Sequence, residues 1–267
     1  MSANGPMTLP SQLPNQGVAM TNSAFELLEA RPLPVSIDPE KTAVVVVDMQ
    51  NHFVSPGGTW ANSGIDTSPM LALIPSIQRV LNSARLAGVR VVHVRSTLLP
   101  VASNLSIPPN AYQGAGEARW AHYCQSVGAG PATPAAGNPP GASPTWNADI
   151  ADGLAPLPED AVVSKTMHSG FYETELDATL KSLGVESLII IGCTTSICVE
   201  STLRDAFFRG YNCVLLEDCV AEPIGAQFDR TNHDATVLQT ELVFGWVSDS
   251  AAMVEAFAPA KITAVPG

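Results

Sequence analysis

Residues 43–47 read AVVVV, and the run ends on Asp48. There is no polar alternation in it, and four of its five residues are β-branched. A strand with one wet face alternates apolar and polar residues. A strand without alternation is covered on both faces, the habit of a parallel sheet with helices above and below. The same texture returns in VRVVHV (89–94), DAVVSK (160–165), SLIIIG (187–192) and YNCVLLED (211–218), with a last short strand expected near 242–244. Helical periodicity fills the gaps: about 69–86 closed by Gly88, 173–183 closed by Gly184, 197–209 closed by Gly210, and about 225–239. The alternation predicts an α/β fold: a three-layer sandwich with a central, mostly parallel sheet of about six strands, flanked by helices on both faces.

Two stretches fall outside this rhythm. Residues 1–38 are rich in Pro, Ser, Asn and Gly, with one short helix-like patch, AFELLEARPLP. They read as an arm, partly disordered or packed on the body or on a neighbour. Residues 39–267 form the main domain, broken at about 97–151 by a segment dominated by Pro, Ala, Gly and Ser. A long irregular insertion of this kind is a functional loop or lid, or a mobile surface segment. The chain has 267 residues and is 46% hydrophobic, enough for one sizeable core.

The formal net charge of -12 argues against a nucleic-acid partner and a basic membrane-facing surface. No apolar run approaches the roughly 18–20 residues of a membrane span, and the first residues lack the cationic and apolar regions of a secretory signal. Five cysteines, an odd number, do not suggest a disulfide framework, so a reducing cytoplasm is expected.

In open parallel sheets, ligands bind beyond the carboxyl ends of the strands. The polar residues at those ends are Asp48, with Gln50 and Asn51 after it; Arg95; Lys165; Cys193, Thr194, Thr195 and Cys198; and Glu217, Asp218 and Cys219. A carboxylate, an ammonium and a thiol thus reach one sheet edge from three strands. A thiol at a helix start is expected to have a lowered pKa. A carboxylate can take its proton, an ammonium can stabilise both anions, and helix N–H groups can hold an oxyanion. The set is that of a covalent hydrolase.

With those residues in view, the chain resembles the isochorismatase-like cysteine hydrolases, through VVVVDMQNHF, VVSKTMHSGFYETELDATLKSLGV and IIIGCTTSICVESTLRDAFFRGY. Within that family it is most similar to ureidoacrylate amidohydrolases, sharing the DMQN start, CVESTLRD, a strand ending in LED and a late FGWVSD. The resemblance implies Cys198 as nucleophile, Asp48 as general base and Lys165 as third member of a triad. It also implies a cis peptide between Cys193 and Thr194, with the N–H groups of Thr194 and Cys198 as oxyanion donors. Asn51 would touch the substrate. The chain departs from those relatives at His168, where they carry a tyrosine, at Arg95, and in the insertion.

Each candidate has a plainer reading. Arg95 either binds a substrate carboxylate or forms a structural salt bridge. His168 lines the pocket or packs. Phe171 and Tyr172 wall the pocket or pack on the following helix. Glu200 is read as a supporting residue, and Cys219 is given no role. Cys193 is a small packed residue, and Cys213 belongs to the core. His52, His93, His122, His168 and His233 lack close metal-ligand spacing, and STLLPVAS stands where some relatives carry a metal-binding D-x-H. His93 reads as a hydrogen-bonded core histidine, and no metal or other cofactor is expected. The function expected is cysteine-dependent cleavage of a C–N bond in a small amide, a ureido or N-carbamoyl compound, through a thioester-type intermediate. The alternatives are another small amide (biuret, a nicotinamide-like or aryl amide), vinyl-ether hydrolysis of the isochorismate type, or a non-catalytic binding protein of the same fold. The resemblance further implies a homo-oligomer, dimer or tetramer.

Overall fold

The structure is a computed structural model, and it describes residues 25–97, 122, 124–127 and 146–258. The remainder of the expected arm and most of the expected insertion lie outside the described residues. The frame is a six-stranded sheet in the order β5-β4-β3-β6-β7-β8, every neighbouring pair parallel. Its strands are β3 (Thr42–Val47), β4 (Arg90–Ser96), β5 (Ala161–Lys165), β6 (Ser187–Cys193), β7 (Asn212–Ala221) and β8 (Trp246–Ser248). All six residues of β3 are buried. Val44 and Val46 face one core, with Ile77, Leu81 and Met253; Val45 and Val47 face the other, with Leu180, Leu188 and Leu203. That two-sided burial is why the valine run lacks alternation.

The order places β3 and β6 side by side in the middle of the sheet. From β3 the chain proceeds outward through β4 to β5; from β6 it proceeds the other way through β7 to β8. The carboxyl ends of β3 and β6 therefore flank the point where connections diverge, which in such sheets opens a crevice. Gly192 is the tightest spot in this seam. Its φ is +118°, and a Cβ there would lie 2.0 Å from the Val47 carbonyl oxygen. Only glycine lets β6 pass so close to β3 with that backbone twist.

Several elements differ from expectation, each for a local reason. The single helix expected over 69–86 is two, Ser68–Leu71 and Ile74–Leu86. Pro75 has no N–H and crowds the carbonyl four residues back, at Leu71, where the first helix stops. The helix expected from 225 begins at Asn232, where the Thr231 side chain accepts from the Asp234 N–H in a capping box. The strand expected near 242–244 is a π-helical turn, Thr240–Phe244, and β8 follows it. Gly245 makes this possible, since a Cβ there would meet the Cys213 carbonyl oxygen at 2.1 Å.

The helix-like patch is instead a hairpin, β1 (Glu26–Leu28) against β2 (Val35–Ile37). Leu28 and Ile37 are buried from it, while Phe25, Leu27 and Leu33 are exposed. The prolines at 32 and 34 deny the patch a helix. The hairpin packs on this chain's own body: Arg31 exchanges backbone hydrogen bonds with Val247 of β8, and its guanidinium holds Glu217 with two bonds and Glu241 with a third, all 2.9 Å.

Gly192→Ala should cost about 3 kcal/mol or more, because it adds a backbone clash to a left-handed residue. Urea unfolding of the variant is expected to show a midpoint well below wild type; an unchanged midpoint would show that the seam is not tight.

Candidate active site

Asp48 follows β3 in a left-handed conformation, φ 51°, and its carboxylate meets Lys165. Lys165 ends β5 at the edge of the sheet, opposite Ser96 of β4. It heads the largest fully buried side chains. Its ammonium has three N–H groups and three partners: Asp48 Oδ2 at 2.7 Å, the Met167 carbonyl at 3.0 Å and Cys198 Sγ at 3.5 Å. The Asp48 contact is close but not aligned as a hydrogen bond, so both carboxylate oxygens, buried, retain capacity to accept from a thiol or a water.

Cys198 does not sit at a simple α-helix start. The peptide between Cys193 and Thr194 is cis, and residues Thr195–Val199 form a π-helical turn that continues into the α-helix Glu200–Phe208. Inside the turn the Thr194 carbonyl accepts from Ile197 and Val199. The expected lowering of the thiol pKa is overturned. Burial pushes the Cys198 thiol up to about 12, with Lys165 pulling down and Asp48 pushing up. Lys165 would be lowered by burial, but Asp48 and the Cys198 sulfur more than offset it and keep the ammonium charged. Cys193 also points inward: its thiol donates to the Asp48 carbonyl oxygen at 3.1 Å, and burial raises it well above its ordinary value.

Of the remaining candidates, His168 belongs to the cluster, its Nδ1 lying 3.7 Å from Cys198 Sγ. The others turn elsewhere. Arg95 lies opposite Ser164 in the β4–β5 register and bonds its hydroxyl at 3.3 Å. Because alternate residues face opposite ways along a strand, that is the face away from Ser96 and Lys165. Phe171 is core, packed on Tyr211 with Arg209 over its ring. Tyr172 is 47% exposed. The Asn51 amide donates to the Trp146 carbonyl and accepts from Ser55. His93 is buried, with its Nε2 3.6 Å from the Asp160 carboxylate, and burial lowers it to about 4. Glu200 supports the helix through Arg204 and Thr236.

The strand end expected at residues 217–219 is also displaced. β7 shifts register against β6, from Ile190 opposite Leu215 to Gly192 opposite Val220, and runs on to Ala221. Glu217 is spent on Arg31 and Asp218 on Ser250 at the start of the Ser250–Ala256 helix. The residue that reaches the site from β7 is therefore Glu222, whose two oxygens accept from the N–H and hydroxyl of Ser196. Gln50, also unassigned from sequence, binds the backbone of Ser96 in both directions and the Ala148 carbonyl, sewing the ends of β3 and β4 together. Among the described residues, no group of three or more His, Cys, Asp or Glu could hold a metal ion.

The isochorismatase domain model matches residues 42–252, so the chain belongs to the isochorismatase family. Relatives called "Ureidoacrylate amidohydrolase RutB" are similar to it: the Methylobacterium radiotolerans protein is 36% identical over 86% of this chain and 84% of its own, and the Stutzerimonas stutzeri protein is 34% identical over 97% and 99%. Among solved structures, a cysteine hydrolase from Pseudomonas syringae pv. phaseolicola superposes with a TM-score of 0.63 at 24% identity, covering 83% of this chain and 94% of that one. N-carbamoylsarcosine amidase from Thermoplasma acidophilum gives 0.56 at 25% identity, covering 79% and 96%.

Two measurements follow from these environments. A thiol held up to about 12 should react with iodoacetamide faster by about tenfold per pH unit from pH 7 to 9, without a plateau; a plateau below pH 8 would show a resting thiolate. Burial raises Glu222 from its ordinary 4.5 to about 7, against the bonds from Ser196. A carboxyl raised on folding contributes stability below its unfolded pKa and loses it as pH rises through the folded one. Glu222→Gln should therefore gain in melting temperature over wild type between pH 4.5 and 7, the difference levelling off above.

Proposed function

We propose that the protein is a cysteine-dependent amidohydrolase that cleaves a C–N bond of a small ureido or N-carbamoyl compound without a cofactor. The observation that carries this reading is the buried Lys165 ammonium, in contact with Asp48 on one side and Cys198 on the other. Since the thiol rests protonated, it needs its base at the moment of attack. Asp48 accepts the proton as Sγ bonds to the substrate carbonyl carbon, and the N–H groups of Thr194 and Cys198 take the developing oxyanion. Asp48 then returns the proton to the departing nitrogen, and the C–N bond breaks. A water, deprotonated by Asp48, opens the resulting thioester-type intermediate and frees the thiol. Lys165 balances negative charge as it moves between carboxylate, sulfur and oxyanion.

The substrate class is supported by relatives called ureidoacrylate amidohydrolase and by the fold neighbour called N-carbamoylsarcosine amidase. With an N-carbamoyl substrate the first product is ammonia, and the released carbamate decomposes to carbon dioxide and the parent amine. His168 stands beside the sulfur where it can meet the substrate. A reducing cytoplasm suits the five free thiols, and the same reading includes a homo-oligomer.

Ammonia release should be followed across ureidoacrylate, biuret, N-carbamoyl amino acids, nicotinamide and aryl amides. A ureido or N-carbamoyl compound should give the highest kcat/KM. Cys198→Ala and Cys198→Ser should lose at least about a thousandfold in kcat while keeping the fold. Retained turnover in Cys198→Ala would overturn the reading.

A further inference from the structure

Glu222 lies one residue past the Ala221–Cys193 pair that closes the β6–β7 ladder. Its side chain is buried, and both oxygens are committed to one residue. Oε1 accepts from the Ser196 N–H at 3.0 Å and Oε2 from the Ser196 hydroxyl at 2.6 Å. Ser196 is the second residue of the π-helical turn that contains Cys198. The residue before it, Thr195, is held through its hydroxyl to His233 Nδ1 at 3.2 Å. The first two residues of the turn are thus fastened from outside by the segment that follows β7, while the Thr194 carbonyl fastens its inner end.

This arrangement does two things for a nucleophile turn. A buried carboxylate is costly to keep unless it is well bonded, and here its bonds fix a short segment whose shape an α-helix does not enforce. It also occupies the Ser196 N–H, and the proposed mechanism gives the oxyanion to the neighbouring Thr194 and Cys198 N–H groups. The charged groups around it do not replace it. Glu200, on the helix that continues the turn, repels it and is itself paired with Arg204. His233, on the Asn232–Gln239 helix, is lowered by burial and engages Thr195 instead.

Building on the reading of Cys198 as nucleophile, we propose that Glu222 is a positioning residue for the reaction, clamping Ser196 so that the turn presents the Cys198 sulfur and its oxyanion donors in register with the substrate carbonyl. Glu222 touches neither substrate nor sulfur in this role; it acts through Ser196. A displaced turn should weaken the transition state more than substrate binding, so its removal should fall on kcat.

The test compares Glu222→Ala, Glu222→Gln and Ser196→Ala with wild type and Cys198→Ser on the best ureido substrate. Glu222→Ala should lower kcat by about 30- to 100-fold and change KM by less than about threefold. Glu222→Gln keeps an acceptor for the N–H and a donor for the hydroxyl, so it should stay within about threefold of wild type. Ser196→Ala loses one bond of the clamp, and its kcat should lie between the two; it decides the matter if Glu222→Ala does not fold. If turnover needs Cys198 but Glu222→Ala, or Ser196→Ala in its place, keeps wild-type kcat, the clamp is refuted and the nucleophile stands. If Cys198→Ser keeps full activity, the nucleophile reading falls and the clamp falls with it.

Discussion

Everything at the carboxyl edge of the sheet is organised around one ammonium. Taking Lys165 out of water costs several kcal/mol unless charge and hydrogen bonds replace the solvent. The protein replaces all three waters at once, with the Asp48 carboxylate, the Met167 carbonyl and the Cys198 sulfur. Remove the Met167 carbonyl or the Cys198 sulfur and a buried N–H loses its acceptor; remove Asp48 and the buried charge loses its counter-ion. The groups that would do the chemistry are therefore also the groups that keep the cation soluble in the interior. This explains why a long flexible side chain, from an edge strand two positions from β3, is held in one place.

The frame exists to bring those partners within reach. Asp48 must leave β3 in a left-handed turn, Gly192 must let β6 press on β3, and Gln50 must tie β3 to β4. The first two are backbone devices and the third a side-chain tie to backbone, all at the ends of strands. The aliphatic cores on either side hold the strands rigid, and the strand ends carry the geometry. Loop-borne residues then complete the site: His168 lies beside the sulfur, and Glu222 holds Ser196 in the turn that carries it.

The strands were legible because two-sided burial removes alternation, and that pattern needs no knowledge of neighbours. The meeting of Asp48, Lys165 and Cys198 was legible because strand ends in a parallel sheet converge. What was hidden depends on register. Arg95 and Lys165 both end strands, but one-residue alternation points Arg95 to the opposite face, and sequence alone does not say which face is which. Asn51 follows β3, yet its amide is used on Trp146, 95 residues away in the chain. Glu222 was concealed by the register shift in β7, which makes the strand longer than the acidic pair at 217–218 suggests. The continuing apolar pair Val220–Ala221 before Glu222 was the available signal. The hairpin was misread because ELLE is too short for period to decide between helix and strand, although Pro32 and Pro34 already argued against the helix.

The Arg31 clip bears on how the chain comes into being. Its carboxylate partners lie 186 and 210 residues further along, and its backbone partner, Val247, is in β8, the last of the described strands. The hairpin around Arg31 must therefore wait for the strands that carry these partners before its contact can close. Until then the exposed edge of β7, and then of β8, is a free template for pairing with another chain. Closing the clip covers that edge with the Arg31 backbone and seats a charged side chain beside it. The hairpin around Arg31 thus latches onto β8 and covers part of the strand edge on that side of the sheet.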